Sequence, residues 1–307
     1  MKTFLVATRP SALARRQTQW VLQALERLHP HLSFKEHVIT TKGDQELEKP
    51  LPLIGGKGLF TQELEAALLS CSVQAAVHSL KDLPVQNPVQ LTVGAIPPRG
   101  DGRDVLISAQ GFTLNTLPIG AVIGTSSLRR AAQMLALRPD VQIKDLRGNI
   151  DTRLRKALNG NYDAVLLSLV GLQRMGLEEY VTEIFSFDEV LPAPGQGALA
   201  VQCRADDAET LQILAALDHI PTRRAVTAER AFLEGLGGGC SVPVGAYGEV
   251  LGDDPESELR LRTVVLSLDG RKKIALQKCG SDPVKLGQEL ADEALRLGAR
   301  KLLDERG

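Results

Sequence analysis

The chain has 307 residues, enough for two or three domains. Hydrophobic residues make up 43% and charged residues 24%, the balance of a globular protein, and aromatics at only 4% make its core mostly aliphatic. A formal net charge of -1 supplies no global field for nucleic acid or an anionic membrane, and no apolar run approaches the roughly 20 residues of a membrane span.

Taken in chain order, short Val/Ile/Leu-rich runs alternate with amphipathic helical patterns. The N-terminus reads as a strand at 4–7 without a signal-peptide layout, so a cytoplasmic protein, or a mature form whose presequence was removed, is expected. A helix follows at 11–28 with Leu13, Val21, Leu25 and Leu28 on one face. Residues 38–40 are a further strand, and the Gly- and Pro-rich stretch 41–58 reads as a mobile loop covering part of a cleft. Phe60, Leu64, Ala67 and Leu68 mark the next helix, and 75–77 and 91–95 are strands. The composition of 97–102 is that of a hinge.

After that hinge, strands are expected at 104–107, 121–123, 141–144 and 164–167, with helices at 127–137 and at 151–158, the latter capped by Asp151. A second turn-rich crossing occupies 191–199. Beyond it a helix at 221–234 leads to a glycine-rich turn ending in Cys240, then strands at 242–250, 259–268 and 273–279 and a helix at 283–298. The layout is α/β: two α/β domains with largely parallel sheets, then a small α+β domain. The expected boundaries are 1–97 with 198–217, 103–191, and 220–307.

Arginine dominates the candidate chemistry. Arg9, Arg129, Arg130, Arg147, Arg153 and Arg174 fall at strand-to-helix turns or in early turns of short helices. Their forks match carboxylates, and Ser11, Thr125, Ser126 and Ser127 add hydroxyls beside helix starts. Thr8 to Ser11 and Thr125 to Ser127 form an echo, each following a strand and opening a helix with paired arginines. The alternative is a set of N-caps and solvated faces. The set as a whole favours a large ligand bearing several carboxylates or phosphates, and no nucleotide-binding glycine loop is present.

In AVHSLKDLP a strand runs into His78, so Lys81 and Asp82 sit on a tight connection at a strand end, where a carboxylate can stabilise positive charge or pass a proton. The alternative is a surface ion pair. His78 reads as a hydrogen-bonded strand-end residue, and the other histidines lack metal-ligand spacing. Among four cysteines, Cys71, Cys203 and Cys279 read as small, partly buried hydrophobes, whereas Cys240 is displayed on a glycine loop as a nucleophile, an attachment point or an idle thiol.

The segments ATRPSALARRQ, GGKGLFTQELEAALL, AVHSLKDLP, GTSSLRR, LRGNIDTRL, LPAPGQGAL and GGGCSVPVG, in this order, resemble the porphobilinogen deaminase family across nearly the whole chain. The resemblance implies two periplasmic-binding-protein-like α/β domains flanking a cleft, and a third domain carrying the cysteine. It implies an enzyme that joins four porphobilinogen molecules head to tail with release of ammonia, giving hydroxymethylbilane. It implies a dipyrromethane cofactor on a thioether to Cys240, and Asp82 as catalytic residue. The cofactor would be held by Lys81, Asp82, Thr125, Ser126, Ser127, Arg129, Arg130, Arg147 and Gly171, and substrate by Arg9, Ser11, Lys57, Arg147, Arg153 and Arg174. No metal, nucleic acid or membrane partner is expected, and the chain is expected to act as a monomer. Gln74, Ser168 and Val170 depart from the family pattern. Two other classes remain open: a solute-binding or sensor protein on the same scaffold, which needs neither Cys240 nor the Lys81-Asp82 turn, and a cysteine acyl-transfer enzyme, for which no histidine partner is evident.

Overall fold

The computed structural model describes residues 3–45, 60–238 and 242–304. Lys57, Cys240 and most of the loop expected at 41–58 lie outside the described residues. The chain divides into two compact units, Met1–Gly100 with Ala198–Arg223, and Asp101–Gly197 with Arg224–Gly307.

The first unit holds β1 (Thr3–Thr8), β2 (Ser33–Val38), β3 (Ala75–Ser79), β4 (Leu91–Ala95) and β10 (Leu199–Arg204) in the order β2-β1-β3-β10-β4. β1 is parallel to β2 and β3, while β10 is antiparallel to β3 and β4. Helix α1 (Ala12–Leu28) lays Val21, Leu22 and Leu25 on a core containing Phe4, Val6 and Phe34. Leu28, expected on that face, is exposed at the last helical position. The strand expected at 38–40 lies earlier: β2 is an edge strand with only Phe34 buried, so no apolar run marks it. A single turn, α2 (Lys42–Gln45), and helices α3 (Gln62–Leu69) and α7 (Ala208–Ala215) complete the unit. Cys71, just beyond α3, is exposed with a left-handed φ of 59°, and Cys279 is exposed too, so of the three described cysteines only Cys203 is the buried hydrophobe expected.

The second unit repeats this plan. β5 (Asp104–Ile107), β6 (Val122–Gly124), β7 (Gln142–Lys144), β8 (Ala164–Ser168) and β9 (Glu183–Ile184) form a sheet in the order β7-β6-β8-β5-β9. β6 is parallel to β7 and β8, and β5 is antiparallel to β8 and β9. Each sheet therefore has four strands in one direction, as the expected largely parallel layout requires, and one antiparallel strand in the same place. The helices are α4 (Leu128–Leu137), α5 (Ile150–Leu158) and α6 (Leu169–Met175). Asn149 takes the N-cap position of α5, and Asp151 stands in its first turn, where a carboxylate complements the helix dipole.

Helix α8 (Ile220–Gly235), strands β11 (Val244–Val250), β12 (Leu259–Leu266) and β13 (Lys273–Gly280), and helices α9 (Pro283–Arg296) and α10 (Ala299–Asp304) form the expected α+β part, its sheet antiparallel in the order β11-β12-β13. It packs on α4: Ala132 and Leu191 share a cluster with Val264 and Leu266. The hairpin between β12 and β13 turns at Gly270 (φ +72°), where a β-carbon would stand 2.5 Å from Ala136 N and 2.6 Å from Ala132 O. Glu229 of α8 is fully buried and accepts from Gly195 N (2.6 Å) and Gly248 N (2.8 Å). No helix among the described residues is long and apolar enough to cross a membrane.

Candidate active site

Parallel strands bring their carboxyl ends to one edge, and in each unit the candidate residues collect there. In the first unit, Ser11 follows β1 and caps α1, its hydroxyl accepting from Ala14 N at 3.3 Å. Arg9 beside it does not point a free fork outward. It clasps Asp44 through Nη2 (2.5 Å) and Nε (3.3 Å), with its guanidinium 4.1 Å from the centre of the Phe60 ring. Burial would raise the Asp44 carboxyl, but Arg9 and Thr41 outweigh it and hold the group below its ordinary value.

β3 delivers the Lys81-Asp82 turn as a 3₁₀ turn, Leu80–Asp82. Leu80 is the buried anchor, its N–H donating to Ala198 O (3.0 Å), Lys81 is half-buried and Asp82 is exposed. The turn is braced from behind. Gln17 Nε2 donates to Ser79 Oγ (3.1 Å) and Ser79 Oγ donates to Gln17 Oε1 (3.2 Å). Gln17 and Asp44 were missed at the sequence level. Gln17 did leave a signal, a polar residue midway between Leu13 and Val21 on the inward face of α1. His78 is buried near the strand end, with its Nε2 lacking a hydrogen-bond partner; burial, reinforced by the charge of Arg9, outweighs a side-chain hydrogen bond with Gln202 and lowers its pKa to about 4.

In the second unit, Thr125, Ser126 and Ser127 follow β6. Thr125 N donates to Lys144 O (3.0 Å), Ser126 Oγ to Leu146 O (2.5 Å), and Ser127 N to Thr125 Oγ1 (3.1 Å). Ser127 caps α4, accepting from Arg130 N at 3.4 Å. Gly124 is required just before this turn, because the Tyr162 ring would lie 2.8 Å from any β-carbon. After β7, Arg147 pairs with Asp145 (2.9 Å), and Arg153 Nε reaches back to Gly148 O (2.7 Å). Burial would raise Asp145, but Ser126, Arg147 and Arg153 keep it below the ordinary carboxylate value, so these four groups form one cluster.

After β8, Gly171 of α6 sits against Ile150 and Ser168, with Ile150 Cδ1 2.8 Å from where a β-carbon would be. Arg174 donates to Gly197 O (2.9 Å), and burial brings its pKa down to about 10. Of the departures from the family pattern, Gln74 holds Leu5 N (2.8 Å), Ser168 precedes α6, and Val170 is buried.

Arg129 and Arg130 face inward. Both are buried and both bond Asp104, a carboxylate with no exposure at all: Arg129 Nη1 at 2.5 Å, Arg130 Nη2 at 2.8 Å and Nε at 3.2 Å. Burial alone would raise Asp104, and the two arginines overcome it, holding the group far below the carboxylate range. Two guanidiniums on one carboxylate leave one positive charge in excess at the start of α4. A helix N-terminus, hydroxyls and an excess cation are groups whose chemistry is complementary to anions.

Residues 4–212 match the family model described as "Porphobilinogen deaminase, dipyromethane cofactor binding domain", and residues 223–296 match "Porphobilinogen deaminase, C-terminal domain". A porphobilinogen deaminase of Brevibacillus brevis is 49% identical over 305 residues, covering 99% of this chain and 98% of its own length. One from Roseiflexus sp. is 50% identical over 303 residues, covering 98% and 99%, and one from Carboxydothermus hydrogenoformans is 49% identical over 306 residues, covering 99% and 97%. With two family models spanning its length and relatives at half identity from end to end, the chain belongs to the porphobilinogen deaminase family.

Proposed function

We propose that this enzyme is a hydroxymethylbilane synthase, which joins four porphobilinogen molecules head to tail into hydroxymethylbilane and releases one ammonia per addition. The observation that carries the reading is that each unit gathers a different chemistry at its own sheet edge. One edge collects hydroxyls, a helix start and surplus positive charge; the other displays the exposed Asp82 carboxylate beside Lys81 on a braced turn. Porphobilinogen carries an acetate and a propionate, so each addition brings two negative charges, which suits the first edge.

The donor set fits a dipyrromethane cofactor bearing four carboxylates. Lys81, Asp82, Thr125, Ser126, Ser127, Arg147 and the backbone at Gly171 would hold it. Arg129 and Arg130 would act through their excess charge, since their forks are committed to Asp104. When bound, this group supplies the free pyrrole carbon from which the chain grows. Attachment through a thioether to Cys240 is part of the proposal. Arg9, Ser11, Lys57, Arg153 and Arg174, with Arg147, would orient the incoming substrate. When the substrate's aminomethyl C–N bond breaks and ammonia departs, positive charge develops on the methylene carbon, and the Asp82 carboxylate stabilises it. We further propose three domains at 1–97 with 198–217, 103–191 and 220–307, and a monomer working in the cytoplasm.

Intact mass and turnover test this together. The wild-type chain should carry a covalent excess equal to two linked pyrroles and consume porphobilinogen. Cys240→Ser should lose both, while Cys71→Ser, Cys203→Ser and Cys279→Ser keep the excess. Full turnover by Cys240→Ser would overturn the attachment. A wild-type chain with neither excess mass nor porphobilinogen consumption would overturn the function.

A further inference from the structure

Asp104 opens β5, directly after the segment 97–102 that brings the chain into the second unit. Its carboxylate collects more than the two arginines. Gln196 Nε2 donates to Oδ1 at 2.8 Å and also to Gly102 O at 2.7 Å, and Gln196 is itself fully buried. Arg129 Nη1 also reaches Leu191 O (2.8 Å), and Gln133 one turn along α4 both donates to Leu191 O (3.0 Å) and accepts from Leu191 N (2.8 Å). The entry to β5, the first turns of α4 and the segment 191–197 are therefore joined through one ionised side chain and its partners. Arg129 Nε is buried with no hydrogen-bond partner, so this arginine's orientation depends on the contacts of its Nη1.

A buried guanidinium without its carboxylate either moves toward another anion or pulls in water. Here that movement would displace the first turn of α4, which carries the Ser127 cap. Asp104 also sets the size of the charge: one negative group for two positive ones. We propose that Asp104 is a positioning residue for the reaction, fixing Arg129, Arg130 and the Ser127 helix start so that a single net positive charge meets the carboxylates of the pyrrole chain. The inference rests on the proposed function and adds a residue that touches neither substrate nor cofactor.

The test compares Asp104→Asn with Asp104→Glu in the full-length holoenzyme, well below the melting temperature of each. Positioning predicts that Asp104→Asn raises KM for porphobilinogen on the order of tenfold or more, with a smaller change in kcat. Asp104→Glu, which keeps the charge, should return KM to within a few-fold of wild type. A role in stability alone predicts the reverse pattern: lower melting temperatures for both, the bulkier Glu no better than Asn, and wild-type KM in the folded fraction. That result would overturn the proposal.

Gln196→Met, which removes a donor to Asp104 without altering charge, provides a milder variant if Asp104→Asn does not fold. A several-fold rise in KM supports the link and wild-type KM overturns it. Hydrogen exchange separates this claim from the functional reading. Amides of residues 128–133 should exchange faster in Asp104→Asn than in wild type whether or not porphobilinogen is consumed, and equal rates would overturn the positioning role.

Discussion

Asp82 and Asp104 are both carboxylates at strand ends, and their surroundings assign them opposite tasks. Asp104 has no exposure and is saturated by three partners, so its charge organises protein. Asp82 is exposed at the tip of a turn whose neighbours are pinned: Leu80 into the core and Ser79 onto Gln17. A fixed backbone with an available charge is what stabilisation of a developing cation requires. Asp82→Asn keeps size and loses charge, so cofactor-loaded protein should consume porphobilinogen about a hundredfold more slowly in a single turnover, equivalent to about 3 kcal/mol of barrier. Asp82→Glu should fall between Asn and wild type, having charge but displaced geometry. Wild-type single-turnover rates for Asp82→Asn would move the catalytic assignment to another residue.

At the scale of elements, helix α4 is held at both ends. Ser127 and the arginines organise its start, and the β12–β13 hairpin presses on its far half at Gly270. A methyl group there would meet backbone, which cannot swing aside as a side chain can, and φ of +72° is unfavourable for alanine. Gly270→Ala should therefore lower unfolding free energy by roughly 2–4 kcal/mol in a denaturant titration. A loss under about 0.5 kcal/mol, the range of an ordinary surface change, would show that the hairpin is not tightly seated. The start of α4 was legible in the sequence because a serine after a strand and before an amphipathic run is a local signal, and Ser11 and Ser127 do cap their helices. The partners of the arginines were not legible: Asp104 meets Arg129 and Arg130 from 25 and 26 residues away, and apolar periodicity says nothing about where a buried polar side chain finds its partner. Strand direction was hidden for a related reason. β5 and β10 are apolar runs that read alike whichever way they enter a sheet.

For the molecule as a whole, buried titratable groups set the acid limit of stability. Folded His78 is held neutral with a pKa of about 4, whereas its unfolded value is near 6.5. Between those values the unfolded chain binds a proton that the folded chain refuses, so stability is complete above about pH 6.5, declines toward pH 4 and levels off below it. The full effect of this one group is at most about 3 kcal/mol. Asp104 and Asp44, with carboxyls held below their ordinary values, add a further loss as pH falls through and below the usual carboxylate range. Urea titrations across this range should show the wild-type decline between pH 6.5 and 4 flattened in His78→Gln, and parallel curves would remove His78 from the account.

The shared sheet plan has a consequence for synthesis. β10 sits between β3 and β4, yet about 100 residues separate the end of β4 from its start. At roughly 5–20 residues per second, the first unit waits on the order of 5–20 s with two open strand edges in its centre. In the second unit the corresponding strand, β5, is made before the two neighbours it joins. The five strands of the later-made sheet are thus all synthesised before β10, the strand that closes the earlier-begun sheet.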